Sequence, residues 1–323
     1  MCPRRRSGKK IFKALWPLAF VLVLAVCGVV GVIIYSVAHP PQRAYLVTPD
    51  RFKEISSPGF KATDETWTNA DGTKARGWLL RGAEGAPAVI LLHRYGADRS
   101  WLFNLGVKLN EATNFTVLWP DLRGHGQNPP VASTTFGTRE ADDALSAVNF
   151  LRTLKSTQDR PLVGEPVGIY GVELGAYAAL RAAAREPAVR ALVLDSVPAT
   201  PDDLLRSAVK ERVGFDNALL RTLTRAGARI YFLGSYKNIS ACETAATLTG
   251  RRLLILTGEG DSLLRDSTNR LAQCFPKDNT LEIKSDLPLT GYNAPFATAE
   301  QGEAYDRRVI DFFDKALRAS SSF

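Results

Sequence analysis

The chain reads as an α/β protein built on a mostly parallel, doubly wound sheet, and three observations predict it. First, short apolar runs of strand length recur along residues 88–283 and alternate with stretches of helical spacing. Second, one of those runs, Val167–Tyr170, passes through Gly171-Val172-Glu173-Leu174-Gly175 directly into an alanine-rich helical stretch. Paired glycines at such a turn let a strand and the following helix approach closely. Third, two alternating segments, Lys61–Trp67 and Lys74–Arg81, flank Asn69-Ala70-Asp71-Gly72 and read as a hairpin ahead of the alternating units.

Taken in order, the buried strands are expected at Ala88–Leu92, Thr116–Trp119, Val167–Tyr170, Ala191–Leu194, Leu253–Leu256 and Leu281–Ile283. These runs are too short for helices and lack the polar alternation of a half-exposed strand, which suits a parallel sheet covered on both faces. Helices are expected at Trp101–Asn110, Glu140–Leu154, Leu174–Glu186, Leu263–Ala272 and Glu303–Leu317. The rhythm breaks between about Pro198 and Thr249, where two helical patterns, Pro201–Val213 and Leu219–Ala228, precede an irregular Tyr231–Lys237. That stretch reads as a small helical cap inserted between two strands.

The N-terminus carries a separate signal. The chain has 323 residues and a formal charge of +8, but six of its 41 basic residues are Arg4, Arg5, Arg6, Lys9, Lys10 and Lys13, and no acidic residue precedes Asp50. Setting those six aside leaves 35 basic against 33 acidic side chains. A nearly neutral body excludes the concentrated basic surface that nucleic acid requires. Ala14–Gln42 holds no Asp, Glu, Lys or Arg, and Phe20–Ala38 is almost continuously apolar. About 20 such residues cross a bilayer as a helix, whereas the apolar core of a cleaved signal peptide is only about 7–15 residues long. The expected organisation is a basic cytoplasmic tail (1–13), a transmembrane signal anchor (14–38), a stalk (39–59) and a globular domain (60–318) with its cap at about 198–249. Basic residues before the span place the N-terminus in the cytoplasm and the globular domain on the extracytoplasmic side. Cys242 and Cys274 are the only cysteines of that domain and form either a disulfide or a pair of buried thiols.

Several ordered motifs carry a family resemblance. Leu91-Leu92-His93-Arg94-Tyr95-Gly96-Ala97, Asp121-Leu122-Arg123-Gly124-His125-Gly126, the Gly171–Gly175 turn, Thr257-Gly258-Glu259-Gly260-Asp261 and Leu289-Thr290-Gly291-Tyr292-Asn293 follow one another as in the α/β-hydrolase superfamily. Over roughly residues 60–318 the chain is most similar to membrane-anchored serine hydrolases related to prolyl-oligopeptidase and acyl-transfer enzymes. The resemblance implies that His93, Arg94 and Tyr95 form the former oxyanion loop, that position 173 is the nucleophile, that Asp261 is the triad acid, and that Tyr292 stands at the base.

The motif that carries the chemistry departs from the family pattern. The nucleophile turn is Gly-x-Ser-x-Gly in the family; here Glu173 replaces the serine. The chain's histidines are His39, His93 and His125, so none follows residue 125 and the family's Ser-His-Asp triad cannot be assembled. A tyrosine with an unperturbed pKa near 10 is a poor general base. Arg94 stands where the family has glycine, and two arrangements follow: a charge-assisted pair with Glu173, or Arg94 pointing to solvent with Glu173 wetted. His93, and His125 and Asp121 at the rim, are expected to shape their loops. Asp195, which also ends a strand, is expected as a cap. No Cys/His cluster has metal-ligand spacing and no Gly-x-Gly-x-x-Gly follows a first strand, so no metal or cofactor is expected. These readings predict an anchored hydrolase-fold protein acting as a binding or scaffolding module for an unidentified small molecule or protein. The alternative is a hydrolase of ester, amide or related bonds with a carboxylate-based site.

Overall fold

The computed structural model describes residues 7–55, 61–127, 133–258, 262–293 and 298–319. Eight strands form one sheet: β1 (Ala62–Thr68), β2 (Lys74–Leu80), β3 (Ala86–Leu92), β4 (Thr116–Pro120), β5 (Val163–Val172), β6 (Val189–Asp195), β7 (Arg252–Gly258) and β8 (Thr280–Leu287). They lie in the order β1-β2-β4-β3-β5-β6-β7-β8. β1 and β2 pair antiparallel, as does β2 with β4, and every other pairing is parallel. The expected hairpin and doubly wound sheet are therefore both present.

Alternation along the parallel strands divides the core. Ile90, Ile169, Leu192 and Leu253 face one side, with Val148 and Leu151 of α4 (Thr138–Thr153), Tyr177 and Leu180 of α5 (Leu174–Ala183) and Leu271 of α9 (Ser262–Ala272). Their sequence neighbours Val89, Tyr170, Val193 and Leu254 face the other side, with Phe103 and Leu109 of α3 (Phe103–Thr113) and Phe313 and Leu317 of α10 (Ala299–Arg318). Both faces are covered, which is why the strands read as continuous apolar runs. The cap between β6 and β7 is α6 (Pro201–Val213), α7 (Ala218–Tyr231) and the short α8 (Ala241–Ala245). Cys242 of α8 is bonded to Cys274, which follows α9.

The N-terminal segment does not stand off from this body. Helix α1 runs Ser7–Ala38 and includes Trp16–Ala38, a stretch long and apolar enough to cross a membrane. Its last turns are buried: Ile34, Val37 and Ala38 pack on the cap, Ala38 O accepts from Thr134 N–H (2.9 Å), and Val37 O accepts from the Tyr95 hydroxyl (2.7 Å). Residues 39–55, expected as a stalk, lie along the domain instead. The Tyr45 hydroxyl donates to Asp121 (2.5 Å), Leu46 N–H donates to Ser100 Oγ (2.9 Å), and Phe52 of α2 (Pro49–Ile55) meets Phe103 edge-on. Those partners lie 51 to 76 positions away in sequence, beyond the reach of a local pattern.

Candidate active site

Glu173 is the single residue between β5 and α5, with φ 49° and ψ −105°. A side chain in that region costs about 1–3 kcal/mol and persists only where its surroundings enforce it. Here Glu173 N–H donates to Asp195 O and Tyr177 N–H donates to Glu173 O, both at 2.9 Å. Glycine is required on each side. A Cβ at Gly171 would lie 2.4 Å from Gly175 O, and one at Gly175 would lie 2.3 Å from Leu92 O.

The Glu173 side chain turns into the protein. The residue is 4% exposed, and Oε2 accepts the Tyr95 backbone N–H at 2.9 Å. Tyr95 sits in the loop after β3, so this bond ties the elbow to that loop.

Of the two arrangements open for Arg94, the pair with Glu173 is not formed. The Arg94 guanidinium lies between two rings, 4.6 Å from the centroid of Trp101 and 4.8 Å from that of Tyr292, and Nη1 donates to Tyr95 O (3.2 Å). Stacking on two aromatic faces satisfies a planar cation in a setting where water is scarce.

His93 and His125 hydrogen-bond to the backbone of their loops. His93 Nε2 accepts Leu122 N–H at 3.0 Å while Nδ1 faces Arg94 O at 2.8 Å, which fixes the neutral ring with its proton on Nδ1. His125 Nδ1 faces Arg123 O (2.9 Å), and its ring meets those of His93 and Tyr95 edge-on. Burial pushes both imidazoles down to about 4. Asp121 is a clamp: Oδ1 accepts Arg99 N–H (2.9 Å), and Oδ2 accepts Gln127 N–H (3.0 Å) and the Tyr45 hydroxyl. Gly126 passes so close, at φ 56°, that a Cβ there would overlap the Asp121 carboxylate.

Asp195 has more contacts than a strand-end cap needs. It is fully buried at the end of β6, and its Oδ2 accepts Gly291 N–H (2.7 Å) and the Tyr305 hydroxyl (2.5 Å) while Oδ1 accepts from Ser196 (2.7 Å). Tyr305 in turn meets the Tyr170 hydroxyl at 2.8 Å. Asp195 therefore clasps the Leu289–Asn293 loop, which holds Tyr292, to the sheet edge beside the elbow. The only sequence signal was an aspartate ending an apolar run. Asp261, the expected triad acid, lies outside the described residues. Among the described residues no three His, Cys, Asp or Glu side chains converge as metal ligands would. A cavity of about 190 Å³ opens beside the loop, bounded by Val37, Pro40, Arg94, Tyr95, Glu211 and Arg212.

Burial pushes the Asp195 carboxyl up from its usual 3.8 to about 6. The folded protein therefore holds this proton more tightly than the unfolded chain. That stabilisation is complete below about pH 4 and is lost as pH rises through about 6, a loss of about 3 kcal/mol by pH 7. Asp195→Asn cannot titrate and keeps the shape. Its stability relative to the parent should rise by about 2 kcal/mol between pH 4 and pH 7 in chemical unfolding. A difference that does not change with pH contradicts the assignment.

With the geometry in place, the comparisons agree. Residues 89–301 match the alpha/beta hydrolase family, and the chain belongs to that family. The chain is similar to the Pyrococcus furiosus esterase Pf2001, with a TM-score of 0.67 and 19% identity over 87% of this chain and 99% of that one. It is similar also to the alpha/beta hydrolase GrgF from Penicillium sp., with a TM-score of 0.59 and 18% identity over 80% of this chain and 99% of that one. At these identities the two structures establish the shared fold. A thiohydrolase, aneE, from Aspergillus aculeatus is 26% identical over 124 residues. That match covers 38% of this chain and 37% of the relative, so the chain matches little more than a third of the relative's length.

Proposed function

We propose that this protein is a membrane-anchored α/β-hydrolase-fold protein without conventional serine-hydrolase activity, serving as a binding or scaffolding module. The observation that carries the reading is the Glu173 carboxylate on the Tyr95 amide, 2.9 Å away. A charge-assisted bond of this kind is about twice as strong as one between neutral groups. It occupies the donor that a tetrahedral intermediate needs, and no histidine after residue 125 exists to activate a nucleophile or water. On this reading residues 1–13 are a cytoplasmic tail, 14–38 the anchor and 60–318 an extracytoplasmic domain. The cavity beside Arg94 and Tyr95 is the place for a ligand or a peptide side chain.

A carboxylate-based hydrolase is the competing reading, favoured by the hydrolytic names of the similar proteins. The full-length protein in detergent, assayed against a panel of esters, thioesters, amides and epoxides, separates the two. The expected result is no turnover above that of Glu173→Gln. Turnover that this substitution abolishes overturns the proposal.

A further inference from the structure

The cap helix α7 carries an apolar stripe that the protein leaves largely uncovered. Leu219, Leu223, Ala226 and Ile230 recur at steps of four, three and four, and Leu233 continues the series just past the helix end. That spacing puts them on one face. Leu219 is 69% exposed, Ile230 73% and Leu233 89%. The buried residues of the same helix, Thr224 and Ala228, lie on a different face. Arg221 and Arg225, on a third side, are tied to Asp216 and Asp202. A helix with an exposed apolar stripe and arginines on the opposite side has the pattern of one lying in a membrane interface.

Its position against α1 decides what covers the stripe. About 20 residues at about 1.5 Å each cross the hydrocarbon core. Counted from Ala14, the first residue past Lys13, that length ends at Ile33. Gly227 of α7 packs on the same level: a Cβ there would lie 2.7 Å from a Val30 methyl and 3.3 Å from Ile34. On the uncovered side of α1, Val29, Val32 and Tyr35 remain more than half exposed. Gly227 thus sets α7 against α1 at the level where, on this count, the hydrocarbon ends.

We propose that α7 is an interfacial helix, its Leu219–Leu233 stripe resting in the bilayer leaflet through which α1 leaves the membrane. The proposal rests on the anchor reading. The occupant is lipid because α1 itself brings the bilayer to the height of Gly227. A second protein over the stripe would have to displace that lipid.

The test uses the full chain with Cys2 and Cys27 replaced by serine and single cysteines carrying a nitrobenzoxadiazole dye. The chain is reconstituted in vesicles of phosphatidylcholine and phosphatidylglycerol, with and without nitroxides on the acyl chain both near the headgroup and near its methyl end. Ile230→Cys and Leu233→Cys report on α7, Val23→Cys on the span, and Gln158→Cys on an exposed turn at the opposite edge of the sheet. The expected result is a blue shift and loss of most emission to the nitroxides at 230 and 233, as at 23, with no quenching at 158. If position 23 is quenched while 230 and 233 behave like 158, the interfacial helix is wrong and the anchor stands. If position 23 is not quenched, both fail. A blue shift at 230 and 233 without quenching means that protein, a second copy or a partner, covers the stripe, and it overturns the proposal.

Discussion

Replacing Arg123 with methionine should lower the unfolding free energy by about 3–5 kcal/mol, because it strands a buried carboxylate. Arg123 belongs to the Asp121–Gly126 loop and is 2% exposed. Its Nε donates to Asp143 Oδ2 at 2.7 Å, its Nη2 contacts the other Asp143 oxygen, and Nη2 also reaches Asp71 at 3.1 Å. Asp143 lies on α4 and Asp71 in the β1–β2 turn, so one guanidinium joins three segments that are distant in sequence. Burial already pushes the Asp143 carboxyl up to about 6 with the arginine in place. Without Arg123 the opposing charge is gone and only the cost of burial remains. Asp143→Asn in the Arg123→Met background should recover part of the loss, since it removes the uncompensated charge. Equilibrium unfolding of the full chain in detergent checks both. An Arg123→Met variant as stable as the parent would falsify the claim that this pair is a structural joint.

The second large effect is expected at the elbow. Gly175→Ala places a methyl 2.3 Å from Leu92 O and 2.7 Å from His93 O, both backbone atoms of the strand end that launches the Tyr95 loop. Neither can swing aside like a side chain, so α5 must move off β3, at a cost of about 3 kcal/mol. The same movement lengthens the contact between Tyr95 N–H and Glu173. Gly302 in α10 is the control, because a Cβ there meets nothing within 4 Å. Gly302→Ala should therefore stabilise by about 0.5–1 kcal/mol through helix propensity. Opposite signs for the two substitutions, measured by the same unfolding experiment, are the expected result. A harmless Gly175→Ala contradicts the close packing of the turn.

Most of the sheet was legible because its strands are buried on both faces and their helices follow a period of about 3.6. The elbow was legible too, since two glycines around one residue at a strand–helix junction admit few other conformations. What stayed hidden depends on long-range contact. Arg94 had two arrangements open, a pair with Glu173 or solvent, but Trp101 and Tyr292, seven and 198 positions away, hold it by their ring faces. Asp195 looked like a strand-end cap until Gly291 and Tyr305 were brought to it by the final loop and helix. Residues 39–55 have no periodicity that reveals their packing, because Tyr45 and Phe52 act as single anchors.

In the proposed function the Glu173 carboxylate plugs the oxyanion amide and does not attack substrate. A carboxylate nucleophile would form an ester or anhydride with the substrate, and water attacking the Glu173 carbonyl would then leave its oxygen in the side chain. Full-length protein incubated in ¹⁸O-water with the ester, thioester, amide and epoxide panel, then digested, reports this directly by mass spectrometry of the peptide containing Glu173. The account predicts no ¹⁸O in that peptide beyond a control without substrate. Substrate-dependent ¹⁸O at Glu173 would contradict it and make the residue a nucleophile.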